Sequence, residues 1–152
     1  MVKNKILVII ICLMNYFKLP IDVEINATQK YLYIPRISLV EQLSFDKTLD
    51  VGSQIHKISY DKNKPLVIMG HSGIGNNAIF NDLDKLSIGD SIYIYENEIK
   101  NLYEIDMIIN HNKGEKFKVI NNSKYIYLVT CDKENYQKQL IFRAKYQKNA
   151  KK

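Results

Sequence analysis

The chain has two cysteines in 152 residues, Cys12 and Cys131. That scarcity excludes a disulfide framework and the clustered Cys/His spacing of a structural zinc site. No internal repeat and no low-complexity linker breaks the sequence. No basic stripe interleaved with stacking aromatics is present, so despite a formal charge of +6 nothing points to nucleic acid. The one long apolar run is also short. Lys3 and Lys5 precede Ile6 to Met14, and Tyr16 and Phe17 extend it to Lys18 and Pro20, fewer residues than the ~20 of a comfortable membrane-spanning helix. No small-x-small cleavage site follows it.

These absences frame what is there. Residues 1–20 read as a signal anchor or signal peptide; a buried N-terminal strand is the alternative. Lysines ahead of the run favour a cytoplasmic N-terminus, which places the rest outside the membrane, in a single-pass arrangement through residues 6–17. Residues 21–30 form a linker, 31–147 a single domain with one core, and 148–152 a basic tail. The tail suits anionic surfaces such as lipid headgroups or wall polymers, or is simply a frayed and solvated end.

Short β-like runs dominate the domain. Tyr31 to Leu39 opens it, with Pro35 suiting an edge strand. Gln54 to Tyr60, Pro65 to Met69 and Ser91 to Tyr95 follow. Glu96-Asn97-Glu98 turns a hairpin into Ile99 to Ile109, and Lys116 to Ile120, Lys124 to Cys131 and Leu140 to Tyr146 complete about eight strands. One helix interrupts them: Asn76 or Asn77 caps it, Ile79, Leu83 and Leu86 repeat at helical spacing, and Gly89 stops it. The pattern predicts a mainly β fold, an eight-stranded closed or nearly closed barrel with one or two short helices, or else a β-sandwich.

Cys131 closes the hydrophobic strand Tyr125-Ile126-Tyr127-Leu128-Val129-Thr130-Cys131, and Cys12 lies in the N-terminal apolar run. The two thiols belong to different phases, which leaves Cys131 as a candidate nucleophile. His71 follows the apolar strand Leu66 to Gly70 and enters Ser72-Gly73-Ile74-Gly75, a place where an imidazole can exchange protons with a ligand. By itself it could equally be structural, as could His56 and His111. Its pairing with a strand-end thiol is what favours chemistry, because a thiol must lose its proton to attack.

Four segments in order, Leu66-Val67-Ile68-Met69-Gly70-His71-Ser72, Phe80-Asn81-Asp82-Leu83-Asp84-Lys85-Leu86, Gly89-Asp90-Ser91-Ile92-Tyr93-Ile94-Tyr95 and Leu128-Val129-Thr130-Cys131, resemble the successive signatures of sortases. These are membrane-anchored cysteine transpeptidases of Gram-positive bacteria, and the resemblance covers residues from about 30 to 146. It implies an eight-stranded β-barrel, Cys131 as nucleophile, His71 as general acid/base, Ser72 and Thr130 near the substrate, and no metal or cofactor. It further implies a C-terminal sorting signal, often of the Leu-Pro-x-Thr-Gly type, as acyl donor, and a peptidoglycan precursor or pilin lysine as amine acceptor. Tyr127 stands where the Thr-Leu-x-Thr-Cys motif begins.

A larger departure concerns the family's arginine, at the start of the strand after the cysteine. Matching Leu140-Ile141-Phe142 to that strand places Gln139 there. Arg143 is the rival, on the same strand face but four residues on, roughly 13 Å away at the usual rise. A catalytically impaired barrel that binds sorting signals without turnover is therefore the alternative to an active enzyme. A papain-like protease is disfavoured, since there the cysteine precedes the histidine in the chain.

Overall fold

The strands form where the apolar alternation places them. In the computed structural model, which describes residues 30–43, 55–59, 63–75 and 78–151, they are β1 (Lys30–Ile34), β2 (Leu39–Leu43), β3 (Ile55–Ser59), β4 (Leu66–Gly70), β5 (Ser91–Glu96), β6 (Ile99–Asn112), β7 (Tyr125–Cys131) and β8 (Lys138–Lys151). They make one sheet in the order β2-β1-β5-β6-β8-β7-β4-β3. Only β4 and β7 pair in parallel; every other neighbour is antiparallel. β2 and β3 end the order, and among the described residues no ladder joins them. The expected closure is therefore not seen: the described residues hold eight strands in one sheet whose order ends at β2 and β3.

Alternation gives this sheet two apolar faces. One carries Leu32, Ile34, Ile68, Ile92, Ile94, Ile105, Ile126, Leu128, Phe142 and Ala144, packed with Phe80, Leu83 and Leu86 from the β4–β5 connection. The other carries a smaller cluster, Tyr127, Val129 and Ile141, with Val67, Met69, Ile109, Phe117 and Tyr125 against it. Burial on both faces explains why β7 is buried without a break from Ile126 to Thr130 and why its sequence reads as a continuous apolar run.

Three local expectations are corrected. Pro35 does not lie in a strand; it starts a 3₁₀ turn, Pro35–Ile37, that joins β1 to β2, where its fixed φ and missing N–H cost nothing. The expected helix around Ile79 to Leu86 is a series of turns with one 3₁₀ segment, Leu83–Lys85. Phe80, Leu83 and Leu86 are the buried side chains there. They recur every third residue, the 3₁₀ period and not the α-helical one, and i to i+3 bonds such as Leu83 N–H to Phe80 O (3.2 Å) and Leu86 N–H to Leu83 O (3.0 Å) follow that spacing. The Asn76/Asn77 cap lies outside the described residues. Lys116 to Ile120 forms no strand; Phe117 instead packs edge-on against Tyr127 at 6.0 Å, and the Ile120 N–H donates to the Tyr127 hydroxyl at 3.0 Å. At the other end, Lys148 to Lys151 are paired with β6, so the basic end is strand through Lys151.

The β5–β6 hairpin closes through Asn97 (φ 48°) and Glu98 (φ 65°), between the paired Glu96 and Ile99. Two central residues of positive φ match the twist of a tight hairpin. Beside it, burial raises Tyr95 to about 12, helped by Tyr33 and Tyr93, and burial raises Tyr103 to about 12, helped by Tyr146 and Glu96. A raised folded-state pKa favours the neutral phenol in the fold. That stability is complete below the ordinary tyrosine pKa of about 10 and is lost as pH rises toward 12. The denaturation midpoint should therefore fall between pH 10 and 12, and Tyr95→Phe should flatten that fall; an unchanged slope in the variant would refute the assignment to Tyr95.

Candidate active site

The parallel pair β4/β7 sets the site, because its register carries both strands to their ends side by side. Met69 is level with Val129. One residue on, the Thr130 hydroxyl donates to Gly70 O at 2.9 Å, and one further the Ser72 hydroxyl donates to Cys131 O at 2.5 Å. His71, between Gly70 and Ser72, is thereby held where β4 leaves the sheet, at the same end as the close of β7. The histidine is exposed, and Cys131 is a free, half-buried thiol. Ser72 and Thr130 are both buried. Their hydroxyls donate to backbone carbonyls and so tie the two strand ends together.

Gly70 is required by packing. A Cβ there would lie 2.4–2.8 Å from three carbons of the Phe80 ring, inside any real contact, and Phe80 is buried in the core. Gly70→Ala should destabilise the protein by about 1–3 kcal/mol, the usual cost of overpacking, as read by chemical denaturation. A wild-type midpoint would show that Phe80 moves aside freely.

The loop after His71 is clamped from several directions. The Gly73 N–H donates to Asn81 Oδ1 at 2.7 Å, and Asn81 Nδ2 donates back to Gly73 O at 3.1 Å. The Phe80 N–H donates to His71 O at 3.0 Å. Gly73 has φ +131°, and a Cβ on it would sit 3.7 Å from His71 Nε2, so the imidazole lies alongside this glycine. Lys133, in the loop after Cys131, donates to Asn81 O at 2.7 Å and pairs with Asp84 at 2.7 Å. The loops that follow the thiol and the imidazole are thus joined through Asn81 and Lys133.

On the other side of the thiol, Cys131 is directly opposite Gln139 on β8, and Gln139 is directly opposite His111 on β6. Directly opposed residues share a sheet face, so the three form a row. Gln139 Nε2 lies 3.5 Å from His111 Nδ1. The pairing of β7 with β8 runs without a register shift from Cys131↔Gln139 to Tyr127↔Arg143, so Arg143 stays four residues from the thiol's level. Its guanidinium makes two hydrogen bonds to Asp106, at 2.7 and 3.0 Å, and lies 5.0 Å from the Tyr125 ring centre. The bonds to Asp106 hold Arg143 above its ordinary pKa. Arg143 is therefore committed to the sheet, and Gln139 occupies the position beside the cysteine.

Asp132 organises the turn that follows. It accepts from the N–H groups of Glu134 (2.9 Å) and Asn135 (3.2 Å) and from Asn110 Nδ2 (2.7 Å), and the backbone bond from Glu134 is the largest cause of its lowered pKa. The sequence reading missed Asn81, Lys133 and the placement of His111. Asn81 lies in a segment read for its apolar spacing, Lys133 lies in the stretch between two strands that no motif covers, and the placement of His111 depends on which strand pairs with β8, which no local pattern encodes.

Among the described residues no cluster of His, Cys, Asp and Glu is arranged to hold a metal, and no helix is long and apolar enough to cross a membrane. The apolar run of residues 6–17 lies outside the described residues.

No curated protein sequence matches the chain. Among solved structures it is similar to sortase C1 of GBS Pilus Island 1, with 22% identity and a TM-score of 0.68, covering 81% of this chain and 66% of that one. Sortase C-3 from Streptococcus pneumoniae is similar at 20% identity and a TM-score of 0.68, covering 80% and 64% of the two chains. Sortase A from Corynebacterium diphtheriae is similar at 22% identity and a TM-score of 0.65, covering 80% and 61%. The chain thus spans no more than 66% of the length of these three structures, and at such identities the likeness is one of fold. The family model described as the sortase domain matches residues 24–147. That match takes in His71, Cys131 and Gln139 together with most of the sheet that positions them, and the chain belongs to the sortase family, a family of cysteine transpeptidases.

Proposed function

We propose that the protein is a cysteine transpeptidase acting at the cell surface on proteins with a C-terminal sorting signal. The observation that supports this reading is the stitched end of β4 and β7, which brings together the strand ends that carry His71 and Cys131, with Gln139 opposite the cysteine on the next strand. In the acylation step the Cys131 thiolate attacks the scissile carbonyl, an S–C bond forms, and the C–N bond breaks. His71 gives its proton to the departing amine. In the second step an amine acceptor attacks the thioester, loses a proton to His71, and releases Cys131 as the new amide forms. Gln139 donates an N–H to the oxyanion of both tetrahedral intermediates.

The acceptor class is a peptidoglycan precursor or a pilin lysine. The similarity to a sortase of a pilus island is compatible with the second. The N-terminal apolar run supplies the membrane anchor, with the catalytic domain outside. The reading is tested by incubating the purified full-length chain in detergent with a panel of sorting-signal peptides and short amine acceptors. A new peptide–acceptor amide, seen by mass spectrometry, is the expected product. Peptide binding without product or thioacyl adduct across the panel would replace this reading with a sortase-like domain that binds without turnover.

A further inference from the structure

The row Cys131–Gln139–His111 contains one group that the mechanism above does not use. His111 is half-buried on β6, level with Gln139 across the β6/β8 ladder. Its ring meets Phe117 edge-on at 5.5 Å, and Phe117 is braced in turn on Tyr127 at 6.0 Å. The imidazole is therefore fixed by the connection between β6 and β7, and its Nδ1 is the atom that approaches the Gln139 amide nitrogen.

A glutamine differs from an arginine in a way that makes such a neighbour matter. A guanidinium presents N–H groups along its whole edge, so its rotation hardly changes what it offers. A primary amide has a donor end and an acceptor end. If it turns over, it presents a carbonyl oxygen to a developing oxyanion, which repels it.

We propose that His111 is a positioning residue that fixes the Gln139 amide, so that the pair and not the glutamine alone stands at the place of the family's arginine. With its own proton on Nε2, His111 offers Nδ1 as an acceptor. One N–H of the Gln139 NH₂ group is then donated to Nδ1, the amide plane is set, and the second N–H is left for the oxyanion. This inference rests on the acyl-transfer reading of Cys131 and Gln139.

Two reagents separate the amide's role from general damage to the site. p-Nitrophenyl acetate acylates Cys131: the S–C bond forms, p-nitrophenolate leaves with the electron pair of the broken C–O bond, and His71 takes the thiol proton. The tetrahedral intermediate carries an oxyanion. Iodoacetamide alkylates the same thiol by displacing iodide, with no oxyanion at any stage. Rates are measured on the full-length chain, with Cys131→Ala providing the background from Cys12.

His111→Ala should slow acylation by about 2- to 10-fold, the effect of one net hydrogen bond, while alkylation stays at the wild-type rate. In a Gln139→Arg background the His111→Ala effect on acylation should shrink to less than about 2-fold, because an arginine needs no such orientation. Equal slowing of both reactions would show a merely structural histidine and overturn the inference. So would an unchanged or faster acylation in His111→Ala, or the same loss in the arginine background. Acetylation that survives Cys131→Ala in full would instead defeat the reading of Cys131 as nucleophile, a failure distinguishable from that of His111.

Discussion

Cys131→Ala is expected to abolish covalent capture of a sorting-signal peptide altogether. The described residues contain no other cysteine, and Cys131 closes β7 with its backbone carbonyl, not its sulfur, bonded to Ser72. The tie between β4 and β7 therefore survives the substitution, and the fold should remain intact by chemical denaturation. His71→Ala should retain slow acylation. The thiol is still present, but the departing amine has lost its proton donor, and general acid–base assistance is typically worth about 10²–10⁴-fold. Quantitative adduct in Cys131→Ala would identify a different nucleophile. A wild-type rate in His71→Ala would mean that the imidazole beside Gly73 is a bystander, and that the Asn81 clamp on its loop serves stability alone.

The second large effect concerns the residue beside the thiol. Gln139→Ala should lower the acylation rate by about 10²–10³-fold, the usual effect of removing one donor to a tetrahedral oxyanion. Gln139→Arg should preserve or raise activity, since a guanidinium adds charge and a donor fork. Arg143→Ala should do something different in kind. It leaves Asp106 without its two hydrogen bonds in a partly buried place, and stability should drop by about 1–2 kcal/mol while acylation changes little. If Arg143→Ala instead cripples acylation with little loss of stability, Arg143 takes the arginine role and the β7/β8 pairing must shift during catalysis. If neither substitution slows acylation, backbone amides stabilise the intermediate.

Some of this was determined by local sequence, because strand formation and strand-end chemistry are local matters. Alternation fixed β5 and the start of β6, and the doubly buried run of β7 was visible as an unbroken apolar segment ending in Cys131. The hairpin at Glu96-Asn97-Glu98 was legible from its polar residues between apolar runs. The same periodicity misled at Ile79, Leu83 and Leu86, because with Phe80 beside Ile79 the three-residue and four-residue spacings overlap in a short segment. What selects the 3₁₀ turn is the bond from Phe80 N–H to His71 O and the burial of the Phe80 ring against Gly70, both contacts across the chain. Pro35 was likewise ambiguous, since its missing N–H suits a sheet edge and a turn start equally.

The site divides along the same line. The pairing of His71 with Cys131 is an expectation drawn from residue chemistry and motif order. That Gln139 and not Arg143 stands beside the thiol was suggested by spacing, but only the ladder from Cys131↔Gln139 to Tyr127↔Arg143, with Arg143 bound to Asp106, decides it. The neighbourhood of His111 was not legible at all. It is 28 residues from Gln139, and their contact exists because β8 inserts between β6 and β7, a choice made by packing two apolar faces at once and not by any pattern within a single strand.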